Sequence, residues 1–143
     1  MPILSARRTL DAWCQRGLQF AIDDFGTGQA SLSYLTDLPT ALIKIDRGFI
    51  APLPEDPQHR ATVEGVIHVT HQLARPVLAE GVETMAQWES LKDQGCDLAQ
   101  GYAIARPMPA ETVPDSLATW LHGRQLSHEQ GIFVASKRVA ALI

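Results

Sequence analysis

Five polar residues stand where they could act together on a charged substrate. Asp23 and Asp24 follow an apolar run, and Lys44, Glu80 and Gln100 each follow a later one. Adjacent carboxylates repel each other, so a cation or a basic neighbour must offset their charge. An oxygen-only ligand set is typical of hard divalent ions such as Mg²⁺ or Mn²⁺. The residue types therefore favour metal-assisted phosphoester hydrolysis, with the lysine orienting a water or a phosphate oxygen.

The same residues also fit a structural interpretation. Acids at strand ends often cap helices or lie in solvated loops. On spacing alone, Asp24 could be a turn residue, Glu80 and Glu83 could be solvated acids, and Lys44 could form a surface ion pair. The spacing by itself leaves both interpretations open.

The elements that must position these residues alternate along the chain. Hydrophobic spacing and turn residues predict strands at 18–23, 41–45, 76–79 and 97–100. Helices are predicted at 3–16, 31–38, 60–73, 84 to about 95, and 111–121. This alternation is typical of an α/β fold with parallel strands and right-handed crossovers. Because ligands bind at the carboxyl ends of such strands, we expect the polar residues to share one rim.

Composition narrows the class of protein. The chain has 143 residues and a formal net charge of -4, without a basic run, so neither DNA binding nor membrane insertion is expected. Cys14 and Cys96 are far apart in sequence and are interpreted as reduced structural thiols. No apolar segment is long enough to span a membrane. We therefore expect a cytoplasmic protein.

Five short motifs occur in a fixed order. They are DDFGTG (23–28), LIKIDRGFI (42–50), AEGVET (79–84), AQGY (99–102) and RPMPAE (106–111). Together they resemble the successive motifs of the EAL-domain family of cyclic di-GMP phosphodiesterases. The resemblance extends over about residues 7–121, and five ordered motifs are far more specific than a single Gly-Thr-Gly.

The resemblance implies a modified TIM (β/α)₈ barrel that hydrolyses cyclic di-GMP to linear pGpG with Mg²⁺ or Mn²⁺, in bacterial second-messenger signalling. By matching position, Asp23 resembles the carboxylate that bridges two metal ions, and Asp24 and Glu80 resemble further ligands of the second ion. Lys44 resembles the lysine that holds the hydrolytic water. Gln100 matches the glutamine of the same water or metal environment.

Supporting positions follow from the same motifs. Gly26 and Gly28 permit a tight loop after the acid pair. Thr27 and Asp46 are placed with them as loop or support residues. Glu83 matches the last acid of the Glu-Gly-Val-Glu motif, and we expect it to position a loop rather than to bind metal.

The resemblance covers only the C-terminal half of the family domain. The Glu-Ala-Leu signature and two further ligands of the first metal, an asparagine and a glutamate, have no counterpart in these residues. The loop after the acid pair also departs from the Gly-Tyr-Ser-Ser of many members, since Gln29 and Ala30 follow Gly28. In those members a hydroxyl at the position of Ala30 helps to tether this loop, and alanine cannot supply it.

Four predicted strands are half the number that closes a barrel. We expect residues 1–122 to form half of a barrel and 123–143 to be a tail of uncertain structure. Unpaired sheet edges and an exposed apolar interior would require a partner. We therefore expect a fragment of a longer protein, completed by an N-terminal half barrel; alone, it would form a homodimer or aggregate and be nearly inactive. The alternatives are a non-catalytic module that senses cyclic di-GMP or binds a protein, and a purely structural half barrel.

Overall fold

The computed structural model describes residues 2–27 and 32–125. The chain divides into two compact units, Met1–Ile104 and Ala105–Ile143. The first unit contains one sheet of four parallel strands in the order β1-β2-β3-β4. The strands are β1 (Ala21–Phe25), β2 (Leu42–Ile45), β3 (Val77–Glu80) and β4 (Leu98–Gln100). The α/β fold with about four parallel strands and flanking helices is confirmed.

Helices alternate with these strands. The first unit has α1 (Pro2–Cys14), α2 (Leu32–Asp37), α3 (Arg47–Ile50), α4 (Pro57–Gln72) and α5 (Met85–Asp93). The second unit has a 3₁₀ turn (Ala110–Thr112) followed by α6 (Val113–Gln125). Across the described ranges, none of these helices combines the length and the apolar character needed to cross a bilayer.

Both faces of the central strands β2 and β3 are buried. Ile43, Ile45 and Val77, on one face, have at most 1% of their surface exposed. Strand alternation places Leu42 and Leu78 on the opposite face, which also carries the candidate lysine. These two leucines are 9% and 8% exposed. Over the central strands, the sequence-based expectation of an exposed apolar interior is therefore wrong, because both leucines are largely covered.

The first strand lies further along the chain than its prediction. The sequence predicts a strand at 18–23, but β1 runs from Ala21 to Phe25. Leu18 remains 48% exposed, so its apolar character does not mark a buried strand position. The sequence pattern predicts that the two aspartates end this strand, whereas they lie inside it.

Two local signals near residue 50 were missed. Helix α3 is only four residues long and contains a glycine, so hydrophobic periodicity cannot detect it. Helix α4 begins at Pro57 rather than at Arg60, because the Asp56 side chain accepts hydrogen bonds from the backbone N–H groups of Gln58 and His59. An aspartate N-cap followed by proline is a strong signal for the start of a helix. Here that signal lies in a proline-rich segment that the sequence pattern suggests is a loop.

Candidate metal centre

The centre begins with an irregularity in β1. Ile22 pairs with Ile43 of β2, and Phe25 pairs with Ile45. Three steps along β1 therefore match two steps along β2. This is the geometry of a β-bulge, in which two residues of one strand oppose a single residue of its neighbour. The two residues are the paired aspartates, and the single residue opposite is Lys44.

The bulge is stabilised by its own hydrogen bonds. Asp24 has a φ of 49°, in the left-handed region that aspartate tolerates better than most residues. Its carbonyl accepts two hydrogen bonds from Thr27, one from N (3.2 Å) and one from Oγ1 (2.9 Å). Its own N–H donates to Oδ1 of Asp23 at 3.0 Å. Neighbouring side chains of a regular strand point to opposite faces, so the irregular backbone allows both carboxylates to reach one rim.

Three carboxylates and one lysine meet at this rim. Asp23, Asp24 and Glu80 each offer one oxygen, and these oxygens lie within 4.8 Å of one another. Lys44 Nζ is 2.9 Å from Asp23 Oδ1 and 2.5 Å from Glu80 Oε1. The Lys44 side chain is 8% exposed, whereas that of Asp23 is 60% exposed. A buried ammonium thus holds one exposed acid, Asp23, and one partly buried acid, Glu80.

Electrostatics keep Lys44 and Asp23 ionised. The hydrogen bond from Lys44 lowers the pKa of the Asp23 carboxyl, against a smaller opposing effect of desolvation. Burial alone would lower the pKa of the Lys44 ammonium, but its hydrogen bonds to Glu80 and Asp23 outweigh burial and raise that pKa. Lysine and aspartate are therefore both charged around neutral pH.

Gln100 lies beside the acids on the next strand. It is the register partner of Glu80, and its side chain is exposed. Its carbonyl accepts a hydrogen bond from the N–H of Val82, at 3.0 Å. A side-chain carbon on Gly101 would lie 2.2 Å from the carbonyl oxygen of Val82, so glycine is required for this close approach of two loops.

The supporting residues have distinct places. Asp46 caps the short helix α3, because its Oδ1 accepts the N–H of Gly48 at 2.8 Å. Gly26 has a φ of 107°, consistent with a turn that favours glycine. Glu83 is exposed and outside the carboxylate cluster; its N–H donates to Oε1 of Gln87. Gly28 lies outside the described residues.

Gln87 connects segments that sequence reasoning treated separately. With Thr84 it forms the predicted capping box of α5, which is confirmed. Its Nε2 also donates to the carbonyl of Ala51, 36 residues away in sequence, at 3.1 Å. A capping motif is a local signal, so the sequence gives no indication of this second hydrogen bond.

The donor set is suited to a hard cation. All three acids offer carboxylate oxygens, and the part of the chain that the structure describes has no other group of three or more potential metal-binding side chains. Glu80 is the least exposed of the three acids, with 21% of its side chain accessible. Asp23, Asp24 and Glu80 could hold a divalent ion in place of the positive charge that Lys44 now supplies.

The EAL domain profile matches residues 3–107 of the chain. This protein belongs to the EAL-domain family. Among curated relatives, it is 47% identical over 102 residues to MucR of Pseudomonas aeruginosa, a bifunctional diguanylate cyclase/cyclic di-GMP phosphodiesterase. It is 42% identical over 106 residues to the signaling protein YkoW of Bacillus subtilis. These matches cover 71% and 74% of this EAL chain, but only 15% of MucR and 13% of YkoW.

Solved structures show the same family. The EAL domain of Mycobacterium smegmatis DcpA superposes with a TM-score of 0.76 at 38% identity, over 83% of this chain and 53% of that one. The MucR phosphodiesterase in complex with cyclic di-GMP gives a TM-score of 0.70 at 43% identity, over 76% and 44%. Klebsiella pneumoniae BlrP1, in a manganese and cyclic di-GMP complex, gives 0.66 at 37% identity, over 71% and 26%. The matched region is thus about half of a solved EAL domain.

Proposed function

We propose that this chain provides the C-terminal half of the catalytic barrel of a cyclic di-GMP phosphodiesterase, which hydrolyses cyclic di-GMP to linear pGpG. The observation that carries the proposal is the convergence of Asp23, Asp24 and Glu80 around Lys44 at the carboxyl ends of parallel strands. That is the edge at which barrel enzymes carry their active sites. The names of MucR and of other relatives, such as the cyclic di-GMP phosphodiesterase NbdA, support the same substrate.

Each residue has a proposed role. Asp23, Asp24 and Glu80 are the ligands that this chain would give to the divalent ions. Divalent ions bound there, Mg²⁺ or Mn²⁺, would supply a nucleophilic water and stabilise charge on the attacking and leaving oxygens. The bulge serves this arrangement because it turns two consecutive carboxylates toward the same rim.

Lys44 and Gln100 contact the hydrolytic water or a phosphate oxygen and are not ligands of the metal ions. Lys44 stays protonated, since its two acidic neighbours raise its pKa, so it offers N–H donors and positive charge beside the reacting group. Gln100 faces the rim next to Glu80 and provides an amide for the same water or for a phosphate oxygen.

A closed barrel needs more strands than the four described here. Within the described residues, β1 and β4 each pair on one side only. We propose that a further half barrel completes the sheet, either the N-terminal half of an EAL domain or a second copy of this chain. On its own, the chain would give negligible hydrolysis.

Calorimetry with Mn²⁺ tests the cation site directly. We expect wild type to bind Mn²⁺ and Asp23→Asn to weaken binding by about 100-fold, since even outer-shell partners typically account for 10–100-fold. Asp97→Asn is the matched control, because Asp97 is also a partly exposed strand-end acid but lies at the other end of the sheet. Equal affinity in wild type and Asp23→Asn would contradict the proposed site.

Chromatography of cyclic di-GMP reaction products tests the catalytic assignment. With Mn²⁺ present, we expect no pGpG from the monomeric 143-residue chain, and rapid pGpG formation by the monomer would contradict its need for a further half barrel. Tight cyclic di-GMP binding that survives Asp23→Asn, without hydrolysis in a completed barrel, would instead indicate a sensing module.

A further inference from the structure

Helix α3 contacts the loop that follows the acid pair. A side-chain carbon placed on Gly26 would lie 2.4 Å from Cε2 and 2.7 Å from Cζ of Phe49. The backbone of this loop therefore rests directly on the Phe49 ring, two residues after Asp24. Contact of this kind fixes the main chain rather than a flexible side chain, so Phe49 limits where the bulge can lie.

The same helix contacts the loop that follows Glu80. A side-chain carbon on Gly81 would lie 2.5 Å from Cβ of Arg47, the first residue of α3. Gly81 has a φ of 70°, so both the space and the backbone conformation favour glycine. One short helix thus touches the main chain on both sides of the proposed cation site.

Helix α3 is itself held at each end. Its N-terminus is capped by Asp46, and Ile50 in its last turn is fully buried. Beyond its C-terminus, the carbonyl of Ala51 accepts the hydrogen bond from Gln87 Nε2. Oε1 of the same glutamine accepts the N–H groups of Glu83 and Thr84, at 2.8 and 3.1 Å. Gln87 therefore ties the loop after β3 to the end of α3.

We propose that α3 sets the separation between the acid pair and Glu80, with Phe49 and Gln87 as positioning residues for the cation site. The inference rests on the cation site proposed above, and it adds how the two ligand-bearing loops keep their relative position. Ligands held in place before binding lose less freedom when the ion arrives, so outer groups that fix them strengthen binding.

Matched substitutions separate positioning from general stability. Phe49→Leu removes the ring beneath Gly26, and Phe49→Tyr keeps it. Gln87→Glu keeps an acceptor oxygen for the cap of α5 but removes the N–H that binds Ala51. Leu91→Ala is the stability control, because it opens a cavity at a buried position of α5 outside these contacts.

Two measurements on the folded variants test the inference. Titration with Mn²⁺ alone should show about tenfold weaker binding for Phe49→Leu and Gln87→Glu, and rescue to within about twofold by Phe49→Tyr. Leu91→Ala should lower the melting temperature without changing Mn²⁺ affinity. Amide hydrogen exchange without metal should become faster at Thr27 in Phe49→Leu and at Val82 in Gln87→Glu, where backbone hydrogen bonds hold the two loops.

Unchanged Mn²⁺ affinity in both positioning variants would overturn the inference, as would an equal loss of affinity in Leu91→Ala. If wild type bound no Mn²⁺, the proposed cation site would be contradicted. The role of α3 would then be decided by exchange alone, and unchanged exchange at Thr27 and Val82 would overturn it.

Discussion

The two ends of the sheet use polar residues in opposite ways. At the carboxyl end, Asp23 and Asp24 are exposed and gather around one lysine. At the amino end, polar side chains bind backbone instead. Asp97 Oδ2 accepts the N–H of Val77 at 2.8 Å and lies 2.7 Å from His71 Nε2. One end keeps carboxylate oxygens accessible, whereas the other uses its polar groups in structural contacts.

Arg75, at the amino end of the sheet, is the clearest example of a polar side chain in a structural role. Its guanidinium donates to the carbonyls of Leu35 and Leu38 and to the hydroxyl of Thr40. These acceptors lie in and just beyond α2, and Arg75 precedes β3, so one side chain joins two segments 35 to 40 residues apart. In barrel folds, the amino-terminal face contributes stability and the carboxyl-terminal face contributes chemistry. The contrast between the two ends follows that division.

Loss of Arg75 should have the largest effect on stability. Arg75→Met leaves three acceptors without their charged donor, so we expect the free energy of unfolding in urea to fall by about 3 kcal/mol. Arg60→Met, at an exposed position of α4, is the control and should change it by less than about 0.5 kcal/mol. Mn²⁺ affinity should not change in either folded variant. A loss of affinity in Arg75→Met would show that the two ends are coupled.

Loss of Lys44 should change the charge of the carboxylate cluster more than it changes the stability of the fold. In Lys44→Met, no ammonium competes for the acids, so Mn²⁺ affinity should rise about fivefold, the equivalent of roughly 1 kcal/mol for a partly exposed ion pair. The lowered pKa of Asp23 contributes stability that is present above its ordinary pKa and is lost as pH falls through the folded value.

In Lys44→Met, we therefore expect the pKa of Asp23 to rise toward its ordinary value and this part of the acid destabilisation to disappear. Carbon-detected NMR titration of the Asp23 carboxyl measures the change, with Lys92→Met at an exposed position of α5 as the control. If the pKa of Asp23 did not change in Lys44→Met, Lys44 would not be the cause of its lowered value.

The smallest effect is expected at Cys96, near the amino end of β4. Desolvation raises the pKa of this buried thiol to about 11. The unfolded chain therefore releases the proton first, and stability falls as pH rises from the ordinary cysteine pKa through the folded value. At pH 9 we expect this loss to be below about 1 kcal/mol and absent in Cys96→Ala, as measured by urea unfolding at pH 7 and pH 9. Equal pH dependence in both proteins would contradict it.

Sequence reasoning recovers what is local or periodic. The alternation of strands and helices, the capping box of Thr84 and Gln87, and the convergence of Asp23, Asp24, Lys44 and Glu80 all follow from patterns within or between short runs. Their roles as ligands and water-orienting group stay predictions.

Long-range contacts account for what was missed. The hydrogen bond from Gln87 to Ala51 and the contact of Gly26 with Phe49 depend on how distant segments meet in space. The bulge was missed for another reason. Two charged residues look like the end of a strand, and only pairing with β2 shows that the strand continues through them.

The extra residue of β1 also decides which side chains enter the core. Ile22 and Phe25 are three positions apart, an odd number that would put them on opposite faces of a regular strand. Both nevertheless belong to one buried cluster with Leu35 and Ile43. The extra aspartate therefore brings Phe25 back to the same face of the sheet as Ile22. The strand carries a second charged residue, and the Phe25 ring still packs in the interior.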